Sequence, residues 1–370
     1  MGLTTTWAAA SERLGGSLRD VTVRNVVRAV VGGTGLRVRL TNAFGRRAVT
    51  FGRVCVGVSR AGAALEPGSN RTVTFGGRGE VTVGAGETVL SDPVAGRVEA
   101  GRWLGVSLFV RNDCDTLTGR NRATTRPSGM WKPAYRSLPG DHAAEESGGA
   151  YLEPVAVWHW LDALTVLTPS PVPIVAALGD SLTVGVGSDT GHSWADLLAH
   201  HSGLPVLNEG VSGGKVLAAG TGRPAEARLA AEVLTKPGIT TVIIQAGVND
   251  LGAGARPDDL IAAYRRMVAT AHAAGVRVIG GTITPYAGAE YHTPEGERAR
   301  QAVNAFIRDG GAFDAVADFD AALRDPAAPA RLLPHHDSGD HLHPSTPGHL
   351  AMAAAIDPQS ICRAQPASPP

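Results

Sequence analysis

The sequence predicts two domains of different class, an all-β sandwich or jelly roll followed by an α/β domain built on a parallel sheet. Three observations carry this reading. Up to residue 168 the chain is a series of short β-type runs punctuated by Gly and Pro, with no sustained helical pattern between them. Beyond that point short apolar runs alternate with amphipathic helical stretches, the order that builds a parallel sheet covered on both faces. Between the halves lies Thr168-Pro169-Ser170-Pro171-Val172-Pro173, whose alternate prolines favour extended backbone. The expected boundaries are 1–168 for the β domain, 169–173 for the linker, 174–362 for the α/β domain and 363–370 for a frayed tail.

In the first half, Gly35–Asn42 alternates apolar and polar residues, the period-2 pattern of a half-buried strand. Comparable runs are Val21–Val31, Val54–Val58, Arg71–Phe75, Val81–Val83, Thr88–Val94, Leu104–Val110 and Val155–Leu167. Gly32-Gly33, Gly76-Gly77 and Gly84-Ala85-Gly86 are the turns between them. In the second half the strands are Ile174–Leu178, Val206–Asn208, Thr241–Gln245, Arg277–Ile283 and Ala315–Asp318. Helices are expected at Ser193–His201, Pro224–Leu234, Pro257–Ala274, Pro294–Arg308 and Thr346–Ile356. Pro224 and Pro257 suit first helical turns and Gly275 a helix end, while Tyr264, Met267, Val268 and Ala271 share one face.

Composition removes several function classes. The 370 residues hold 34 basic and 34 acidic side chains, so there is no electrostatic footprint for nucleic acid or anionic lipid. Residues 1–168 carry 20 basic and 14 acidic side chains, an imbalance of ordinary size. No apolar run approaches the ~18 residues of a membrane span. Cys55, Cys114 and Cys362 are too few and too scattered for a disulfide scaffold, although a Cys55–Cys114 bridge stays open. The first residues have no basic and apolar leader pattern, so the chain as written is expected in the cytoplasm, or outside it as a trimmed mature form.

The chemistry-bearing residues follow strand ends. Ser181 lies in Gly179-Asp180-Ser181-Leu182, just past the first strand of the α/β half, where ligands bind in open α/β sheets. A lone serine is a poor nucleophile and needs a base with an orienting acid. Asp340 and His343, three apart in Asp340-His341-Leu342-His343, supply both within one turn. Two Gly-rich loops follow the second and third strands, Asn208–Gly214 and Gln245–Asp250. The N–H groups of Ser181 and Gly213 and the Asn249 amide then make a three-donor oxyanion hole. Five histidines crowd residues 335–349, which raises a zinc reading with His341 and His343 as ligands. A catalytic zinc wants three protein ligands and an open position, and no cysteine lies nearby, so no metal or cofactor is expected.

These four blocks, Gly179–Leu182, Gly210–Gly213, Gly247–Asp250 and Asp340–His343, resemble in kind and order those of the SGNH, or GDSL-type, serine hydrolases. The resemblance spans about residues 172–357 and implies a flavodoxin-like α/β/α fold and ester hydrolysis without metal or cofactor. It implies Ser181 as nucleophile, His343 as base, Asp340 as its partner, and Ser181, Gly213 and Asn249 as oxyanion donors. The first half resembles the jelly-roll domain that precedes the catalytic domain in some bacterial members. Gly214 and Lys215 depart from the Asn-Arg that relatives often carry there.

The expected reaction is deacylation of short-chain acyl esters of carbohydrates or other small molecules, through an acyl-enzyme. Asp180, Lys215, Met130 and Trp131 are candidate cleft residues, with Asp180 organising the nucleophile loop. Trp103, Tyr135, Trp158 and Trp160 are further aromatics able to stack on sugars, though Trp158 and Trp160 are better read as packing residues. Two other readings use the same sequence: an acyltransferase or natural-product deacylase with this triad, and a carbohydrate-binding protein with an inactive hydrolase domain. Oligomeric state is not encoded in any pattern found.

Overall fold

The structure is a computed structural model that describes residues 1–114, 116–121, 134–190 and 192–362. Met130 and Trp131 lie outside the described residues. The chain divides into two compact units, the described residues up to Val172 forming one and those from Pro173 onward the other.

The first unit is antiparallel throughout. One sheet orders Gly2–Ala8, Leu161–Thr168, Gly33–Thr41 and Val94–Val98, with Thr88–Leu90 also on Gly33–Thr41. A second sheet orders Glu153–Val155, Ala134–Pro139, Val21–Arg28, Trp103–Val110 and Val49–Ala61, the last also pairing three short strands. Val38, Leu40, Leu164 and Val166 from the first sheet and Val23, Val54, Val106 and Leu108 from the second are fully buried, as the inner faces of a sandwich require. The jelly-roll or sandwich class is thus the observed one.

Several strand limits differ from expectation for physical reasons. Val155–Leu167 is not one strand: Trp160 has φ +53, which breaks the run into Val157–His159 and Leu161–Thr168. Trp158 and Trp160 are buried, edge-on to Trp7 (5.1 Å) and Phe51 (5.4 Å), so neither is available to a sugar. Thr88–Val94 is interrupted where the Ser91 hydroxyl, rather than a strand, accepts from Val38 N–H. Gly2–Ala8 escaped the sequence reading because Thr4, Thr5 and Thr6 are all buried, leaving no alternation to see. Cys55 and Cys114 are buried thiols with no disulfide between them, and Cys114 Sγ donates to Leu18 O at 3.0 Å.

In the second unit the elements are β1 (Ile174–Gly179), α1 (Ser181–Val184), α2 (Trp194–Ser202), β2 (Val206–Gly210), α3 (Ala225–Arg228), β3 (Ile239–Gln245), α4 (Val248–Gly252), α5 (Pro257–Ala273), β4 (Arg277–Gly281), α6 (Pro294–Asp309), β5 (Ala315–Ala317), α7 (Phe319–Leu323), α8 (Thr346–Ala354) and α9 (Pro358–Cys362). The strands pair in the order β2-β1-β3-β4-β5, all parallel, which is the flavodoxin-like order. Alternate side chains enter opposite layers. Ala176, Leu178, Val242, Ile244 and Val278 pack with α5 and α6, whereas Val175, Ala177, Ile243, Ile279 and Ala317 pack with α2, α7 and α8. Burial on both faces is why these strands read as continuous apolar runs.

The helices carry the expected end signals. Ser193 and Asp196 form a reciprocal capping box on α2, Pro257 opens α5, and Thr293 caps α6 through Gly296 N–H. The stretch expected as one helix from Pro224 is α3 followed by a π-helical turn over Leu229–Val233. Among the described residues no helix is long and apolar enough to cross a membrane.

Candidate active site

Ser181 is the first residue of α1, a single helical turn directly after β1. Two glycines permit that turn. A side chain on Gly179 would collide with the Gln245 carbonyl, and one on Gly210 would lie 2.7 Å from Val184 N and 2.9 Å from Asp180 O. The nucleophile turn therefore wedges between the ends of β2 and β3 only because both flanking positions lack Cβ. Asp180 caps α1, its Oδ1 accepting from Leu182 N–H at 3.0 Å. Arg228, also buried, donates to Gly179 O (2.9 Å) and Glu209 O (2.6 Å), tying the carboxyl ends of β1 and β2.

Asp180 is fully buried, so it does not line a cleft; its contribution is the cap. Burial, reinforced by Asp250, pushes its carboxyl up to about 7.

His343 arrives from the loop before α8. Its Nε2 lies 2.9 Å from Ser181 Oγ and its Nδ1 2.6 Å from Asp340 Oδ2. Asp340 Oδ1 accepts from Leu342 N–H (3.0 Å) and His343 N–H (2.8 Å). Burial alone would raise this carboxyl, but the hydrogen bonds from His343 and Leu342 outweigh it and hold Asp340 below the usual carboxylate range. The serine, imidazole and carboxylate are thus joined in one hydrogen-bonded chain from two segments far apart in sequence.

The loop is clamped from both sides. Ser338 N–H donates to His343 O at 3.0 Å, and Ser345 N–H donates to His336 O at 2.8 Å. Gly187, at φ +91, brings the segment after α1 against the loop, where a Cβ would lie 3.1 Å from His343 Cβ. His349 on α8 donates from Nε2 to Val186 O at 3.1 Å, closing the same contact from below. Burial, with a smaller effect of His343, pushes His349 down to about 4, so it is a neutral structural imidazole. The sequence reading passed over Gly187, Arg228 and His349, whose partners lie on other elements and leave no local signal.

The other two expected donors lie on segments that follow β2 and β3. After β2, Gly213 sits at φ +68 in open space, a left-handed conformation that favours glycine. Among the described residues the N–H groups of Ser181 and Gly213 have no protein acceptor. After β3, Asn249 on α4 donates from Nδ2 to Gly214 O at 3.0 Å, which leaves its second amide hydrogen uncommitted. The neighbouring Asp250 accepts from Val216 N–H (2.8 Å) and Leu217 N–H (3.0 Å). Three hydrogen bonds therefore lock the loop after β2 to α4. Lys215 is half-buried, and its carbonyl accepts from Ala225 N–H at 2.8 Å.

The zinc reading finds no support in the side chains. His341, at φ +62, turns its Nδ1 to Asp337 Oδ2 at 2.6 Å while both nitrogens of His343 are engaged as above. Among the described residues no three His, Cys, Asp or Glu side chains form a metal-holding group.

The model of the GDSL-like lipase/acylhydrolase family matches residues 177–351. No curated protein matches the chain. Solved structures similar to it include a GDSL-like lipase from Bacteroides thetaiotaomicron, 20% identical over 51% of this chain and 87% of that one, TM-score 0.41. An aryl esterase from M. smegmatis is 17% identical over 50% of this chain and 96% of its own, TM-score 0.40. A family two carbohydrate esterase from Clostridium thermocellum is 14% identical over 96% of both chains, TM-score 0.40. At such scores these likenesses carry no weight of their own; the family match does. Behind its all-β domain, the chain therefore carries a domain of the GDSL-like lipase/acylhydrolase family and is an enzyme of that hydrolase class.

Proposed function

We propose that the protein is a serine esterase in which Ser181, His343 and Asp340 act as the triad. The observation that carries this is the hydrogen-bonded chain Ser181 Oγ–His343–Asp340, 2.9 Å and 2.6 Å long at its two links. Asp340 Oδ2 accepts a hydrogen bond from His343 Nδ1–H, which fixes the tautomer and leaves Nε2 as an acceptor facing the serine hydroxyl. Ser181 Oγ attacks the ester carbonyl while His343 Nε2 removes its proton. The oxyanion of the tetrahedral intermediate receives hydrogen bonds from Ser181 N–H, Gly213 N–H and the second amide hydrogen of Asn249. The C–O bond to the alcohol then breaks, and the alcohol leaves with the proton from His343. Water attacks the acyl-enzyme by the same route in reverse, releasing the acid and restoring the serine.

The substrates proposed are short-chain acyl esters, on a carbohydrate or another small alcohol.

The test is turnover of p-nitrophenyl acetate and of acetylated sugars by full-length protein and by Ser181→Ala. Turnover of the acetyl esters, abolished in a Ser181→Ala variant with native circular dichroism, is the expected result. Undiminished turnover in that variant would end the proposal. A graded series from acetyl to decanoyl esters, expected to fall with chain length, tests the acyl preference.

A further inference from the structure

The loop between β4 and α6 holds a side chain that the mechanism above does not use. Tyr291 OH donates to Asn249 Oδ1 at 3.4 Å. At the other end of the same amide, Asn249 Nδ2 donates to Gly214 O at 3.0 Å. These two contacts decide which way the amide faces. Flipped, it would set Oδ1 against the Gly214 carbonyl, acceptor against acceptor. Unflipped, it satisfies both neighbours and leaves one N–H free.

The position of Tyr291 is itself built. Its ring lies on Gly252, the last residue of α4, where a Cβ would come within 2.7 Å of ring atom Cε2 and closer still to Cδ2. Gly252 has no left-handed backbone to explain it, so the approach of the ring is what a glycine permits there. The Tyr286 ring lies 5.9 Å away at 47°. Burial raises the Tyr291 phenol above its ordinary range, and Asp180, Tyr286 and Asp340 add to this, so it stays a proton donor at every working pH.

The geometry points to Tyr291 as a positioning residue for the oxyanion site, its hydroxyl holding the Asn249 amide so that the free N–H faces the developing charge. The inference rests on the serine mechanism proposed above. Tyr291 touches none of the reacting groups, so its effect falls on kcat, where the oxyanion bond is made, and not on KM. Donation to Oδ1 also polarises the amide and strengthens the N–H it offers to the intermediate.

The experiment measures kcat and KM on p-nitrophenyl acetate for full-length wild type, Tyr291→Phe, Asn249→Ala, the double variant, Gly252→Ala and Ser181→Ala, each with its thermal midpoint. Tyr291→Phe, which keeps the ring, is expected to lower kcat about tenfold and leave KM within about twofold, a fraction of the ~10²–10³ that a whole oxyanion donor contributes. In the Asn249→Ala background the same change is expected to cost less than about twofold, since nothing is left to position. Gly252→Ala, favourable for the helix itself, is expected to lower kcat like Tyr291→Phe by displacing the ring. Wild-type kcat in both Tyr291→Phe and Gly252→Ala, or a full tenfold loss from Tyr291→Phe on top of Asn249→Ala, would overturn the inference. If Tyr291→Phe proves unstable, Gly252→Ala decides alone. Ser181→Ala separates the two proposals: turnover without Ser181 defeats the serine mechanism, whereas an inert Ser181→Ala beside wild-type Tyr291→Phe and Gly252→Ala defeats the positioning role only.

Discussion

Replacing Asp340 by asparagine isolates the orienting acid, because most of the local structure survives the change. Asparagine Oδ1 can still accept from Leu342 N–H and His343 N–H, which hold the loop at 3.0 and 2.8 Å. What changes is the second oxygen, 2.6 Å from His343 Nδ1, which becomes an NH2 donor. Nδ1 must then accept, so the ring proton moves to Nε2 and points at Ser181 Oγ, 2.9 Å away. The base is now a donor to the group it should deprotonate. In a buried triad this error costs about 10⁴ in kcat. The Asp340 side chain is 51% exposed, so water already screens part of its effect on the imidazolium. We therefore expect a loss of about 10³, or about 4 kcal/mol of transition-state stabilisation. The assay is kcat/KM on p-nitrophenyl acetate at one pH, with the thermal midpoint as a control. A natively folded variant within tenfold of wild type would refute the reasoning.

Asn249→Ala is expected to lower kcat by about 10²–10³ with little change in KM, and a loss below about fivefold would remove it from the oxyanion site. Two buried groups give pH dependences of opposite sign, read from urea midpoints of the second unit's transition. His349 sits near 4 in the fold against an ordinary 6.5, so wild type loses stability relative to His349→Gln as pH falls through that window. The difference approaches about 3 kcal/mol, and parallel curves would contradict it. Asp180 sits near 7 against 3.8, so its contribution is present below pH 3.8 and lost as pH rises through 7. Asp180→Asn should gain relative to wild type over that rise, and no relative gain would show the carboxyl is not buried as described.

The α/β half was legible because its strands are apolar on both faces and its helices carry strong end signals, such as Ser193 before α2 and Pro257 at the start of α5. The β half was legible in class but not in detail. Buried threonines hid Gly2–Ala8, and the left-handed turn at Trp160 has no counterpart in residue type, since tryptophan rarely adopts it. At the site, the glycines and the Ser181, Asn249, Asp340 and His343 positions stand out because each follows a strand end or fills a short turn. Asp180 was misplaced toward the cleft because sequence shows its charge but not that its side chain turns inward to cap α1 through Leu182 N–H. Tyr291 is invisible in sequence for a related reason. It meets Asn249 across 42 residues, and nothing near it in the loop announces that contact.

The central claim is a serine hydroxyl made reactive by the imidazole beside it, and covalent capture reads that directly. Full-length protein treated with a fluorophosphonate and digested for mass spectrometry should carry the phosphonyl group on the peptide containing Ser181. Ser181→Ala should carry none, and His343→Ala should label far more slowly. Labelling of a different residue, or equal labelling rates with and without His343, would contradict the account at its root.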